Sequence, residues 1–111
     1  MKKAQLKELR NKFRESVFER DNYACRMCGK HDKLSAHHIQ DRSDMPNGGY
    51  VLQNGITLCD GGPESCHFKA EAEHNGLQPL PGYSRAELYA LIGTTFDEAW
   101  EASERLSILQ K

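Results

Sequence analysis

Leu6, Leu9, Phe13 and Val17 recur at three- and four-residue steps, with Phe18 beside the last of them. Such spacing lines one side of a helix and predicts an amphipathic helix over residues 3–20. Lys7, Arg10, Lys12 and Arg14 fill much of its remaining surface, and Asp21-Asn22 ends it, since both residues favour turns. Residues 34–39 are expected as a strand, entered from the polar His31-Asp32-Lys33 turn. Pro46-Asn47-Gly48-Gly49 is the clearest turn signal, inside a loop over residues 40–50. Residues 50–52 and 56–58 carry β-branched and apolar side chains and predict short extended pieces around Asn54. A helix is expected from Pro63 or Ser65 to Glu73, ending near Asn75-Gly76. After the spacer Leu77-Gln78-Pro79-Leu80-Pro81-Gly82, two capping boxes announce two more helices. Ser84 with Glu87 precedes Leu88, Tyr89, Leu91 and Ile92, and Gly93 closes that helix. Thr95 with Glu98 precedes Trp100, Leu106 and Leu109. These last helices either cover the middle of the chain or pair between two chains.

A length of 111 residues makes one domain, 1–111, the default. At 38% hydrophobic the chain forms only a thin core, because small domains bury a smaller share of their surface. A structural metal makes up such a deficit. The net charge of −1 hides an asymmetry: residues 1–45 hold 11 Lys/Arg against 7 Asp/Glu, and residues 46–111 hold 4 against 9. A locally basic N-terminal half is compatible with phosphate contacts, and equally with a solvated helix face. No apolar run approaches the ~20 residues of a membrane span. Met1-Lys2-Lys3 has the charge of a secretory leader but no apolar core after it. A cytoplasmic location is therefore expected, with no membrane partner.

In that compartment four cysteines in a pair-plus-pair pattern read as zinc ligands rather than disulfides. Cys25-x2-Cys28 is a zinc knuckle, with Gly29 available for the positive φ of its tight turn. Cys59-x6-Cys66 supplies the other half, its long gap folding back through Gly61-Gly62-Pro63. Arg26, Lys30 and Lys69 lie near enough in sequence to offset the charge of a four-thiolate zinc centre. The competing readings are four buried free thiols or two disulfides.

Zinc held by four cysteines leaves His37, His38 and His67 unspent. Adjacent strand residues point to opposite sides, so His37 and His38 divide their work, one as metal ligand and one as base. The plainer reading is a pair of structural histidines in a zinc-stapled turn, with Asn54 a mere turn residue before Gly55. Against it stands the combination Val17-Phe18-Glu19-Arg20-Asp21, Cys25-x2-Cys28, Ala36-His37-His38-Ile39, Asn54-Gly55-Ile56-Thr57-Leu58-Cys59 and Cys66-His67. Over residues 14–74 this resembles the HNH endonuclease family, also described as ββα-metal or His-Me finger nucleases.

The resemblance implies an α+β fold with a small ββα-metal core at 23–76 stapled by a four-cysteine structural zinc site; the hydrophobic pattern adds an N-terminal helix at 1–22 and a C-terminal helical extension at 77–111, the latter outside the resemblance. It implies His38 as general base, His37 and His67 as ligands of one divalent ion, and Asn54 as the residue that holds the loop and orients the base. That ion is typically Mg²⁺, with Mn²⁺, Ni²⁺ or Zn²⁺ as substitutes, beside the structural Zn²⁺. The implied reaction is hydrolysis of DNA phosphodiester bonds to 5′-phosphate and 3′-hydroxyl ends. Two departures bear on the site. The Cys59–Cys66 gap exceeds the family's common CxxC, so the register of His67 depends on the insertion looping out. Some relatives carry a further ligand one turn after the last histidine, and here that position is Glu71, with His74 almost two turns on.

Arg10, Arg14, Arg20, Lys33, Arg42 and Lys69 are the candidate phosphate contacts. No base-reading motif accompanies them, so low sequence specificity is expected, with nicking by one chain or double cleavage by a homodimer. His31 and His74 are expected at the surface. The reading from a different class is a zinc-stabilised nucleic-acid-binding module without catalysis, which has no need of His38.

Overall fold

A computed structural model of the protein describes residues 3–106. The first helix, α1, spans Lys3–Arg20, and its Leu9, Phe13 and Val17 are the buried side chains, as the spacing predicts. It ends where Asn22 and Tyr23 take positive φ and the Tyr23 amide donates to the Phe18 carbonyl at 2.9 Å. Two strands follow, β1 (Leu34–His38) and β2 (Gly55–Cys59). They pair antiparallel from Leu34 opposite Cys59 to His38 opposite Gly55. A short helix, α2 (Cys66–Ala70), begins at Ser65, whose hydroxyl accepts from the Phe68 amide. The last two helices are α3 (Arg85–Leu91), opened by a Ser84–Glu87 capping box, and α4 (Phe96–Glu104), capped by Thr95. No described helix is long and apolar enough to cross a membrane.

The core has two parts. Ile39, Met45, Ile56, Leu58, Ala70, Leu88, Tyr89 and Ala99 form one cluster with three of the cysteines. The second joins Leu9, Phe13, Val17 and Tyr50 between α1 and the sheet, with Leu106 packed against it. Gly55 lets α1 approach: a β-carbon there would lie 2.5 Å from Val17 Cγ2 and 2.8 Å from the Phe13 ring. Leu88, Tyr89 and Ala99 of the C-terminal helices pack into the first cluster, so these helices cover the middle of the chain, one of the two arrangements the sequence leaves open. Leu109, expected on the last helix, lies outside the described residues, and Leu106 follows the helix rather than belonging to it.

Two expectations are corrected. Residues 50–52 are not an extended piece. The segment between the strands is a chain of single turns, Arg42–Asp44, Pro46–Gly49 and Leu52–Asn54, with Asn47 and Gly48 at positive φ. The expected helix from Ser65 to Glu73 is also shorter, because α2 stops at Ala70 and gives way to turns before Gly76.

Asp21 ties these elements together. Its fully buried carboxylate takes Arg20 at 2.8 Å, Arg26 at 2.6 Å and the Thr57 amide at 2.9 Å. Burial pushes the carboxyl up, but these hydrogen bonds outweigh it and hold it below the usual carboxylate range. A depressed carboxyl contributes stability above the ordinary value of 3.8, and that stability is lost as pH falls through the folded-state value. Asp21→Ala is expected to cost about 3 kcal/mol in chemical denaturation at pH 7, because two cations and an amide lose their acceptor. The cost is expected to shrink below about pH 4.

Candidate active site

Strand geometry sends His37 and His38 to different neighbours. His37, 2% exposed, faces α2. Its ring meets the His67 ring edge-on at 5.2 Å, and its Nδ1 lies 3.8 Å from Glu71 Oε1. His67 Nε2 lies 3.0 Å from the same carboxylate oxygen. One donor atom from each of His37, His67 and Glu71 lies within 4.8 Å of the other two. Ligands about 2.1 Å from a common ion are about 3.0–3.4 Å apart, so this trio fits a divalent cation with modest tightening. His37 Nε2 is buried with no hydrogen-bond partner among the described residues. Burial first, then the nearby His67 and His74, hold its pKa well below the ordinary value, so the ring is neutral and its lone pair available.

His38 lies against α1. Its ring stacks on Phe13 at a centroid distance of 4.4 Å and meets Tyr50 edge-on at 5.2 Å. Burial and then Arg42 push its pKa down to about 4, which keeps the imidazole a neutral proton acceptor. Tyr50 in turn accepts a hydrogen bond from Arg42 Nη1 at 3.1 Å. A cleft of about 710 Å³ collects His37, His38, His67 and Glu71 together with Arg10, Arg14 and Arg42. The histidines thus divide between the two sides while opening on one cleft.

The side-chain hydrogen bonds of Asn54 go to residues other than His38. Asn54 is fully buried beneath the cleft, where its amide bonds both backbone groups of Gln40 and the Gly49 carbonyl. Its backbone carbonyl accepts from the Ile39 amide at 2.9 Å, one residue past His38. Any influence of Asn54 on the orientation of His38 therefore runs through the backbone of the loop.

The four cysteines are free of disulfides, and their sulfurs lie within 4.8 Å of one another. Cys28 and Cys59 Sγ are 3.6 Å apart, too far for a disulfide and close to the edge of about 3.7 Å in a zinc–thiolate tetrahedron. The Cys25 and Cys59 sulfurs accept from the Cys28 and Cys66 amides, as thiolates would. The cluster could hold zinc. Of the basic residues near it in sequence, Arg26 is spent on Asp21 and the Leu91 carbonyl. Lys69 Nζ lies over the Tyr83 ring at 5.8 Å, and the Tyr83 hydroxyl donates to Cys66 Sγ at 3.4 Å.

The remaining candidates separate. Arg10, Arg14 and Arg42 line the cleft. Lys33 is exposed outside it, and Lys69 faces Tyr83. Arg20 is committed elsewhere: its guanidinium bonds Asp21 and the Leu52 and Gly55 carbonyls, which leaves it structural. His31 is exposed, as expected. His74 is not at the surface. Its side chain is 9% exposed, its ring stacks on His37 at 5.2 Å, and Nε2 lies 2.9 Å from the Ile39 carbonyl. Its Nδ1 is 3.4 Å from Glu71 Oε2. Asp60, unremarked in the sequence, lies 3.4 Å from His67 Nδ1, on the side of the ring away from Glu71. Carboxylates behind metal-binding imidazoles fix their orientation. The only sequence signal for His74 is its spacing: His67, Glu71 and His74 stand at i, i+4 and i+7, on one helical face.

An antiparallel strand pair and a short helix that converge two histidines and a carboxylate beside a neutral histidine form a ββα-metal arrangement. Residues 25–73 match the model of the family described as HNH endonuclease. This is a family of nucleases, hydrolases acting on phosphodiester bonds with the help of a divalent metal. No curated protein and no solved structure matches the chain.

Proposed function

We propose that the protein is a divalent-metal-dependent DNA endonuclease of low sequence specificity, with His38 as general base. The observation that carries this reading is the convergence of His37, His67 and Glu71 within 4.8 Å in the cleft that His38 also lines. Such a trio suits a divalent ion, Mg²⁺ or Mn²⁺ in the first instance, whose chemistry when bound is Lewis-acid stabilisation of the phosphate and its leaving oxygen. The chain's own residues supply the rest. His38, neutral and bracketed by Phe13 and Tyr50, takes a proton from the attacking water. Arg42, held by Tyr50, and Arg10 and Arg14 on α1 place positive charge along the cleft for the DNA backbone. Asp60 orients His67 from behind. The cysteine cluster with zinc fixes β2 and α2 relative to each other. A reducing compartment such as the cytoplasm keeps those thiols available.

Supercoiled plasmid tests the reading. With Mg²⁺ or Mn²⁺ the open circle is expected to accumulate, and EDTA is expected to stop it. A linear product without an open-circle stage indicates a homodimer cutting both strands. DNA retained in a gel shift with no cleavage in any divalent metal overturns the nuclease reading in favour of a zinc-stabilised binding module.

A further inference from the structure

Asn54 meets the C-terminal helices as well as the loop. Its Oδ1 accepts from the Gln40 amide at 3.0 Å and from the Tyr89 hydroxyl at 2.6 Å. Its Nδ2 donates to the Gln40 and Gly49 carbonyls, both at 3.2 Å. Two acceptor sites and two donor hydrogens are all that a carboxamide has, so every one is filled. Tyr89 stands on α3, beyond the segment that matches the family. It is 3% exposed, and burial pushes its phenol above the usual range, so it stays an O–H donor.

A second tie comes from α4. Ser103, fully buried, accepts from the Gly49 amide at 3.0 Å and donates to the Pro46 carbonyl. Asn47 Nδ2 donates to the Ser103 carbonyl at 3.1 Å. Residues 40–49 contain no α-helix or strand, and among them only Met45 and Gly49 are buried. The segment's internal hydrogen bonds are those of local turns, such as the Asp44 amide to the Asp41 carbonyl and the Gly48 amide to the Met45 carbonyl, which do not tie it to the rest of the fold. It nevertheless carries Arg42, and it begins two residues after His38.

We propose that α3 and α4 form a latch on this loop, with Tyr89 and Ser103 as positioning residues for the cleft. Tyr89 fixes the orientation of the Asn54 amide, and Asn54 fixes the loop at both Gln40 and Gly49. Ser103 fixes the turn between Pro46 and Gly49. The latch itself stands on these hydrogen bonds alone. Its effect on turnover rests on the nuclease reading above.

Full-length Tyr89→Phe and Ser103→Ala test it by two measurements. The first is amide hydrogen exchange. Loss of one such bond is expected to speed exchange over residues 40–49 by roughly five- to ten-fold, with protection in β2 and α1 unchanged. The second is nicking of a labelled duplex with Mn²⁺, where kcat is expected to fall about 10- to 100-fold with KM for DNA unchanged. Unchanged exchange in the loop overturns the latch. So does an increase spread equally over β2 and α1, which marks loss of stability everywhere. A loosened loop with unchanged kcat overturns the positioning role. If the wild-type protein cuts no DNA, the nuclease reading falls, and the exchange measurement still decides the latch.

Discussion

His38→Ala is expected to reduce plasmid nicking by about 10²–10⁴-fold, the usual worth of a general base. The size of the effect follows from what surrounds the ring. Phe13 and Tyr50 hold it by stacking and edge contact, and neither carries a group that accepts a proton at neutral pH. Burial keeps it neutral, so nearly every molecule carries the acceptor form. His37 cannot substitute, because it faces the opposite neighbours and its ring belongs to the trio with His67 and Glu71. The variant keeps that trio, so Mn²⁺ affinity measured by calorimetry is expected to stay near the wild-type value. A parallel loss of Mn²⁺ affinity identifies His38 as a ligand instead. Nicking equal to the wild type places the base elsewhere.

Removal of zinc is expected to have the largest effect on stability. Structural zinc sites contribute about 10–16 kcal/mol near neutral pH, comparable to or greater than the ~5–15 kcal/mol net stability of an ordinary domain. Among the described residues the two-stranded sheet has no third strand to support it, and an isolated pair of strands is marginal in water. Cys25, Cys59 and Cys66 are all nearly inaccessible in the core that also packs β2. A strong chelator, or Cys59→Ser, is therefore expected to abolish the cooperative thermal transition of the sheet and α2. Metal analysis of the purified protein is expected to return one tightly held zinc per chain. A protein without zinc whose thermal transition is unmoved by chelator defeats this account.

Much of the scaffold is legible in the sequence because its signals are local. The boundaries of α1 follow from one apolar stripe, and the starts of α3 and α4 follow from Ser84–Glu87 and Thr95–Glu98. The thiol cluster follows from cysteines at spacings that suit a metal, and the grouping of His37, His67 and Glu71 from the resemblance to a family. What local signals miss is context across the fold. Residues 50–52 have strand-forming side chains, yet Tyr50 is drawn under α1 while the neighbouring loop is fastened by Asn54 and Ser103. Arg20 reads as a surface cation on any helix, and only the folded chain brings the Leu52 and Gly55 carbonyls to it. His74 reads as a polar residue near a helix end until β1 arrives to bury it. Tyr89 looks like an ordinary core aromatic, because nothing in its own helix announces a partner 35 residues away.

The rung-by-rung pairing of the two strands gives the cysteine cluster a role beyond stability. Side chains on a strand alternate, so sliding β1 by one residue against β2 would exchange the surroundings of His37 and His38. Cys59 closes β2 opposite Leu34, four rungs from the Gly55–His38 pair. With Cys59 anchored among the other three thiols, that sliding is blocked at its far end. The cluster thereby helps to set the phase of the strand, and with it which of two chemically identical imidazoles faces His67 and Glu71 and which faces Phe13 and Tyr50.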